Sequence, residues 1–187
     1  MTLALGECSD GELAALALAG RQTAFSELLD RHRASVFRLV RSNTGDDDAA
    51  LDVTQEAFIA AFAALKRYDG TRPFKTWVSR IAINKCRDWA RRRTVRRFFS
   101  FALPIEAAVS IADETIPADQ LLADRAELTR VKEAIAKLPM AIRAPLVLRT
   151  IDGLTEAETA QLLGISEKAV ETRLYRARNK LTEFLRD

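Results

Sequence analysis

The chain has 187 residues, enough for one medium domain or two small ones, and its 48% hydrophobic and 29% charged residues exclude an intrinsically disordered chain. The net charge is +3, but positions 66 to 97 contain twelve Lys and Arg residues and only two Asp residues, which gives this segment a net charge of +10. Such a segment indicates a surface that binds a polyanion, and nucleic acid is the first candidate and acidic lipid the second. The alternative is a basic face that is merely solvated.

Cysteine usage and the chain start predict a cytoplasmic location. Cys8 and Cys86 are the only cysteines, without C-x-x-C spacing, and the first residues lack the basic-then-apolar pattern of a signal peptide. No apolar run reaches the roughly 18 residues of a membrane helix, so we predict no membrane insertion.

Three helices are predicted before position 66. Residues Ser9 to Glu12 form a capping box that begins a short helix ending near Ala19. Apolar residues at spacings of three, four and seven predict a longer helix over 23–42. Asp46 to Asp48 then begin a helix that ends near Leu65. These carboxylates lack the central glycine and terminal glutamate of a calcium loop, so no metal site is predicted.

The loop Tyr68–Pro73 leads into a basic amphipathic helix that runs from Phe74 to about Arg93. At 100° per residue, one side carries the apolar residues Phe74, Trp77, Val78, Ile81, Ala82, Cys86 and Trp89. The other side carries Thr76, Arg80, Asn84, Arg87 and Arg91. Ile83 leans toward this polar side, and Lys85 falls on the apolar side.

Helical periodicity is lost over 98–120, which we interpret as an apolar linker, and it resumes from Leu121 to Pro139. After a helix containing Pro145, residues 155–181 show a helix-turn-helix pattern with Gly164 in the turn and Ser166 capping the last helix. The predicted outward face of this helix comprises Lys168, Thr172, Tyr175, Arg176 and Asn179. Without any strand signal, the prediction is an all-α fold of two small helical domains joined by a linker.

The motifs together resemble the extracytoplasmic-function (ECF) class of bacterial RNA polymerase sigma factors. The second conserved region of that family resembles Asp52-x-x-Gln55-Glu56-x-Phe58 and Phe74-x-x-Trp77-x-x-Arg80-Ile81-Ala82-x-Asn84. The fourth conserved region resembles Leu138-Pro139, Leu148-Arg149, Asp152-Gly153-Leu154-Thr155, Ala160 to Leu163 and Val170 to Arg178. The resemblance implies a region 2 domain over 1–97, a linker over 98–120 and a region 4 domain over 121–187.

The resemblance also implies roles for individual residues. Asp52, Gln55 and Glu56 would bind core RNA polymerase, with a simple solvated helix face as the alternative. The melted promoter element about ten bases upstream of the start (the −10 element) would be contacted by Tyr68, Thr76, Arg80, Asn84, Arg87 and Arg91. The duplex element about thirty-five bases upstream (the −35 element) would be contacted by Lys168, Glu171, Thr172, Tyr175 and Arg176. Glu171 would either accept a hydrogen bond from cytosine or repel phosphate.

Further expectations concern partners and chemistry. The resemblance implies an anti-sigma factor as a regulatory partner. No catalytic residue, cofactor or small-molecule substrate is expected, since His32 has no evident nucleophile near it and no phosphate-binding glycine loop occurs. Two other classes of protein remain as alternatives, a repressor or activator that never contacts polymerase, and a sigma-domain mimic that sequesters a regulator.

Overall fold

The computed structural model describes residues 4–100 and 119–186, with side chains described for 4–96 and 126–186. Over these residues the regular structure is entirely helical, in agreement with the predicted fold class. The eight α-helices are α1 (Asp10–Leu18), α2 (Gln22–Thr44), α3 (Asp47–Ala63), α4 (Phe74–Ser100), α5 (Asp119–Lys137), α6 (Met140–Thr150), α7 (Glu156–Leu163) and α8 (Glu167–Arg186). Short 3₁₀ helices cover Leu5–Glu7 and Leu65–Arg67. No described helix is long and apolar enough to cross a membrane.

The helix boundaries follow the capping signals in the sequence. Ser9 and Thr155 each form a complete capping box, with Glu12 and Glu158 respectively. Gly45 ends α2 in the left-handed region, at φ +70°, a conformation that disfavours side chains with a Cβ. These local contacts explain why the predicted starts of α1 and α7 match the structure.

Helix α4 is longer than predicted, ending at Ser100 instead of about Arg93. No glycine or proline occurs between Phe74 and Pro104, and arginine is a good helix former, so nothing local stops the helix at the end of its apolar stripe. The middle of the predicted linker, residues 101–118, lies outside the described residues.

Helices α1 to α4 form the first bundle and α5 to α8 the second, and the two bundles pack against each other. Helix α2 contacts α5 and α6, while α4 contacts α6 and α7. One apolar cluster therefore joins the first bundle to residues of the second, namely Ala144, Val147, Leu148, Leu162 and Leu163. Ile83 belongs to this joint cluster and is only 1% exposed, so it is buried although it leans toward the polar side by angle. Its burial depends on helices distant in sequence.

A second, smaller cluster lies within the second bundle and supports the helix-turn-helix. It consists of Leu138, Ile142, Leu146, Ala160, Val170, Leu174 and Ala177. Because the apolar residues of α8 point into this cluster, the opposite face of the helix is left toward solvent.

Candidate nucleic-acid and polymerase interfaces

The loop before α4 is held by the tyrosine that was predicted to contact a base. The hydroxyl of Tyr68 donates a hydrogen bond to the carbonyl of Arg72. The Tyr68 ring lies 5.2 Å, centroid to centroid, from the rings of both Phe74 and Trp77. Burial raises the pKa of Tyr68, with smaller contributions from Asp10 and Asp69. Tyr68 is half-buried, so part of the residue remains accessible at the surface.

The polar face of α4 presents the predicted basic side chains in a row. Arg80 and Arg91 are exposed, and Arg87 is half-buried and donates a hydrogen bond of 3.2 Å to Oδ1 of Asn84. Thr76 is half-buried near the start of the helix. Since positions 76, 80, 84, 87 and 91 recur every three or four residues, one face of α4 can follow a nucleic-acid backbone.

A groove of about 990 Å³ separates this face from the second bundle. The α4 side of the groove includes Asn84, Arg87 and Arg91, and the opposite side includes Leu163 and Arg173. Burial lowers the pKa of Arg87, and the nearby charge of Arg173 lowers it further. The two basic helices therefore approach each other in this arrangement, and the like charges oppose that approach.

The face predicted to bind polymerase lies on α3. Asp52 and Gln55 are exposed, as a docking surface requires. Glu56 is instead engaged within the bundle, because its carboxylate lies 3.6 Å from Nζ of Lys85 and 3.3 Å from Nη2 of Arg92, both on α4. This pairing also explains how Lys85 is accommodated on the apolar side of α4.

An apolar groove beside this face was not predicted. It has a volume of about 880 Å³, lies between α2 and α3, and includes Gln55 in its lining. Ile59 is 70% exposed and Phe62 is 47% exposed, unusual values for large apolar side chains on a packed helix. The signal was present in the sequence, since Leu51, Gln55, Ile59 and Phe62 share the face of α3 opposite its small core residues.

The five residues predicted to read the −35 element are all exposed on α8. Gly164 forms the turn before this helix at φ +67°, and the backbone N–H of Ala169 donates to the hydroxyl of Ser166. The hydroxyl of Thr172 donates to the carbonyl of Lys168 at 2.8 Å, which leaves its methyl group and its lone pairs for a partner. Tyr175 is 66% exposed.

Comparison with known proteins identifies the family. The model of sigma-70 region 2 matches residues 28–96, and that of sigma-70 region 4 matches residues 128–181. RNA polymerase sigma factor CnrH of Cupriavidus metallidurans is 40% identical over 182 residues, 96% of this chain and 95% of CnrH. ECF RNA polymerase sigma factor SigM of Mycobacterium tuberculosis is 33% identical over 181 residues, 96% of this chain and 86% of SigM. The chain belongs to the ECF family of RNA polymerase sigma factors.

Solved structures agree with the fold of this sigma factor. The structure of CnrH in complex with the cytosolic domain of CnrY has a TM-score of 0.66 at 36% identity, covering 94% of this chain and 96% of CnrH. The sigma factor RpoE from Bartonella quintana, solved with the anti-sigma factor NepR, also has a TM-score of 0.66, but at 22% identity it supports the fold alone.

A third group of polar residues in the sigma factor, at the start of α1, was missed by the sequence prediction. Asp10 accepts hydrogen bonds from Nη1 of Arg31 at 3.3 Å and pairs with Nε2 of His32 at 2.8 Å. Nη2 of Arg31 also donates to the carbonyls of Leu5 and Gly6. His32 thus has a structural partner in Asp10. The capping box indicated the start of α1 in the sequence, but no sequence pattern indicated that Asp10 pairs with Arg31 and His32 on α2.

Proposed function

We propose that this sigma factor binds core RNA polymerase through α3 and recognises promoters through the exposed polar faces of α4 and α8. The region 2 domain would extend over 1–97 and the region 4 domain over 121–187, with a linker over 98–120. The observation that carries this proposal is the match to both sigma-70 regions together with a basic or polar face left exposed in each. The protein would act in the cytoplasm, where polymerase and DNA are, without a cofactor, metal or catalytic residue.

At the −10 element, the loop and α4 would capture a melted strand. The phosphates would be contacted by Arg80, Arg87 and Arg91, and the strand would accept or donate hydrogen bonds to Thr76 and Asn84. Tyr68 would stack on an extruded base or form one side of its pocket. Unstacking a base costs a few kcal/mol, and binding of the base in a pocket offsets that cost without an external energy source. Trp77 would support Tyr68 from the core side, since its ring already packs against Tyr68.

At the −35 element, the first turns of α8 would lie in the major groove of duplex DNA. Lys168 and Arg176 would donate to phosphates or guanine edges, while Thr172 and Tyr175 would make shorter-range contacts. Glu171 is exposed and has no ion-pair partner in the part of the chain described here. Its carboxylate is therefore available to accept a hydrogen bond from the amino group of cytosine, which is the role we assign to it.

Polymerase binding would use Asp52 and Gln55, with Glu56 contributing through its free lone pairs while paired to α4. The neighbouring apolar groove would add hydrophobic contact area to these polar contacts. The test is Asp52→Arg, which should weaken the binding of fluorescent sigma factor to core polymerase by at least about tenfold. Glu133→Arg on α5 is the matched control, since Glu133 is also exposed on a helix. Equal affinities for the two variants would refute this assignment.

Regulation would involve an anti-sigma factor. CnrH has been solved in complex with the cytosolic domain of CnrY, and we propose that this chain is held inactive by a protein of that kind. Recovery of the tagged chain from uninduced cells should yield such a partner and little polymerase. Recovery of the chain mainly with core polymerase would contradict this part of the proposal.

The deciding experiment is run-off transcription with purified core polymerase on a library of genomic fragments. Initiation at defined sites should require the chain and should fall by more than about tenfold in the double variant Arg80→Ala, Arg87→Ala. The double variant Lys132→Ala, Lys137→Ala removes the same charge from exposed positions on α5 and should remain active. A chain without initiating activity would instead be a mimic or a repressor, and tight binding to duplex DNA without polymerase would identify the repressor.

A further inference from the structure

The start of α1 touches the loop that we assign to −10 recognition. A Cβ atom on Gly11 would lie 2.6 Å from the carbonyl oxygen of Gly70 and 3.3 Å from its carbonyl carbon. The 2.6 Å distance is shorter than a Cβ atom tolerates, and the 3.3 Å distance is tighter than most contacts of a Cβ atom. The two backbones can approach this closely only because position 11 is glycine.

Helix α1 is itself held firmly at this end. Asp10, the residue before Gly11, is bound by Arg31 and His32 of α2. Nη1 of Arg31 donates in addition to the carbonyl of Cys8 at 2.7 Å, and the capping box of Ser9 completes the first turn. The first turn of α1 is thus a rigid support fixed on α2, not a frayed end.

The loop is held from its other side by α4. Tyr68 packs on Phe74 and Trp77 of α4. Within the loop, Asp69 accepts hydrogen bonds from the backbone N–H and the hydroxyl of Thr71 at 3.1 and 2.7 Å. With α1 on one side and α4 on the other, the position of the loop depends on both contacts. A displacement on the α1 side must therefore be transmitted to Tyr68 and its neighbours.

We propose that Gly11 is a positioning residue for promoter opening, and that α1 sets the height of the Tyr68–Pro73 loop above α4. This inference rests on the proposed role of the loop in capturing a base. Gly11 has no other structural reason to be glycine, since glycine weakens a helix relative to alanine and Gly11 does not have a positive φ. The close approach to Gly70 supplies that reason.

The test compares Gly11→Ala with Gly6→Ala, each assembled with core polymerase. Gly6 lies in the same N-terminal segment, also has no positive φ, and an added Cβ there would meet nothing within 4 Å. We expect Gly11→Ala to bind a single-stranded −10 oligonucleotide about tenfold more weakly and to slow promoter opening, followed with 2-aminopurine in the −10 strand, by a similar factor. The oligonucleotide is taken from a promoter found by run-off transcription.

Other measurements separate positioning from general damage. For Gly11→Ala, the affinity for core polymerase and the binding of duplex −35 DNA by the holoenzyme should match those of Gly6→Ala. A second variant, Asp10→Asn, keeps the shape of the anchor but weakens its hold on Arg31 and His32, and it should reduce −10 binding in the same direction. Equal −10 binding by Gly11→Ala and Gly6→Ala would overturn the inference, and so would a loss shared by all the measurements. Failure of the wild-type chain to open any promoter would instead refute the proposed function.

Discussion

The contact between Gly45 and Ala136 links the two bundles and allows a sharp test of their packing. Gly45 ends α2 at φ +70°, and a Cβ atom built on it would lie 2.5 Å from Cβ of Ala136 on α5. Carbon atoms in contact are separated by about 3.5 to 4.0 Å. The substitution Gly45→Ala must therefore push α5 away from the end of α2 or distort one of the two helices.

The expected magnitude has two separable parts. Any Cβ at positive φ costs about 1 to 2 kcal/mol, and overpacking adds about 1 to 3 kcal/mol. Gly20 and Gly153 have φ values of +91° and +68° with nothing within 4 Å of an added Cβ, so alanine there incurs only the backbone part. We expect Gly45→Ala to lower the free energy of unfolding by about 1 to 3 kcal/mol more than either control does.

Urea unfolding of the three variants measures this difference directly. A further variant, Ala136→Gly, removes the obstructing methyl group. In the double variant Gly45→Ala, Ala136→Gly, the extra destabilisation should therefore disappear, but the glycine in α5 should itself cost about 1 kcal/mol. A double-mutant cycle then reports the coupling between Gly45 and Ala136. If Gly45→Ala were no more destabilising than Gly20→Ala and Gly153→Ala, and the cycle gave no coupling, the described packing of the bundles would be refuted.

Three further predictions concern single residues. Arg176→Ala should weaken binding of the holoenzyme to the duplex −35 element and reduce the slope of log affinity against log salt by about 1, if Arg176 contacts a phosphate; an unchanged slope would argue for a base contact. Burial raises the pKa of Cys86 from 9.0 to about 12, so its neutral form is favoured in the folded state. The free energy of unfolding should accordingly be retained below pH 9 and decline as the pH rises toward 12. Iodoacetamide at pH 8 should modify Cys8 well before Cys86, as mass spectrometry would detect. Leu174→Ala should lower the free energy of unfolding by about 2 to 5 kcal/mol, whereas Leu128→Ala, at a position 53% exposed, should change it little in the same urea assay.

The exposure of the candidate site residues was predictable where one helix alone decides it. On α8, the burial of Val170, Leu174 and Ala177 follows from their spacing, so the exposure of Lys168 and Arg176 on the other side follows too. The same reasoning held for most of α4. It did not account for the burial of Ile83, which lies near the polar side by angle but belongs to the joint cluster that includes residues of α6 and α7.

Residues whose role depends on a distant partner were not predictable in this way. Glu56 looked like a free surface acid, but Lys85 and Arg92 of α4 reach it across the bundle. Gly11 looked like an ordinary residue of a first helical turn, and only the position of Gly70 explains it. Neither partner lies within one or two helical turns, so no periodic pattern could indicate the pairing.

By itself the sequence determined the helices, their caps and their exposed polar faces, because capping bonds and amphipathic spacing act within a few residues of one another. The family motifs are also local, so they could be recognised in the sequence in the same way. Tertiary structure alone decided how the first and second bundles pack, that Arg87 and Arg173 approach each other, and that α1 supports the loop before α4. Those features depend on which surfaces meet, and surfaces separated by many residues meet only once the chain has folded.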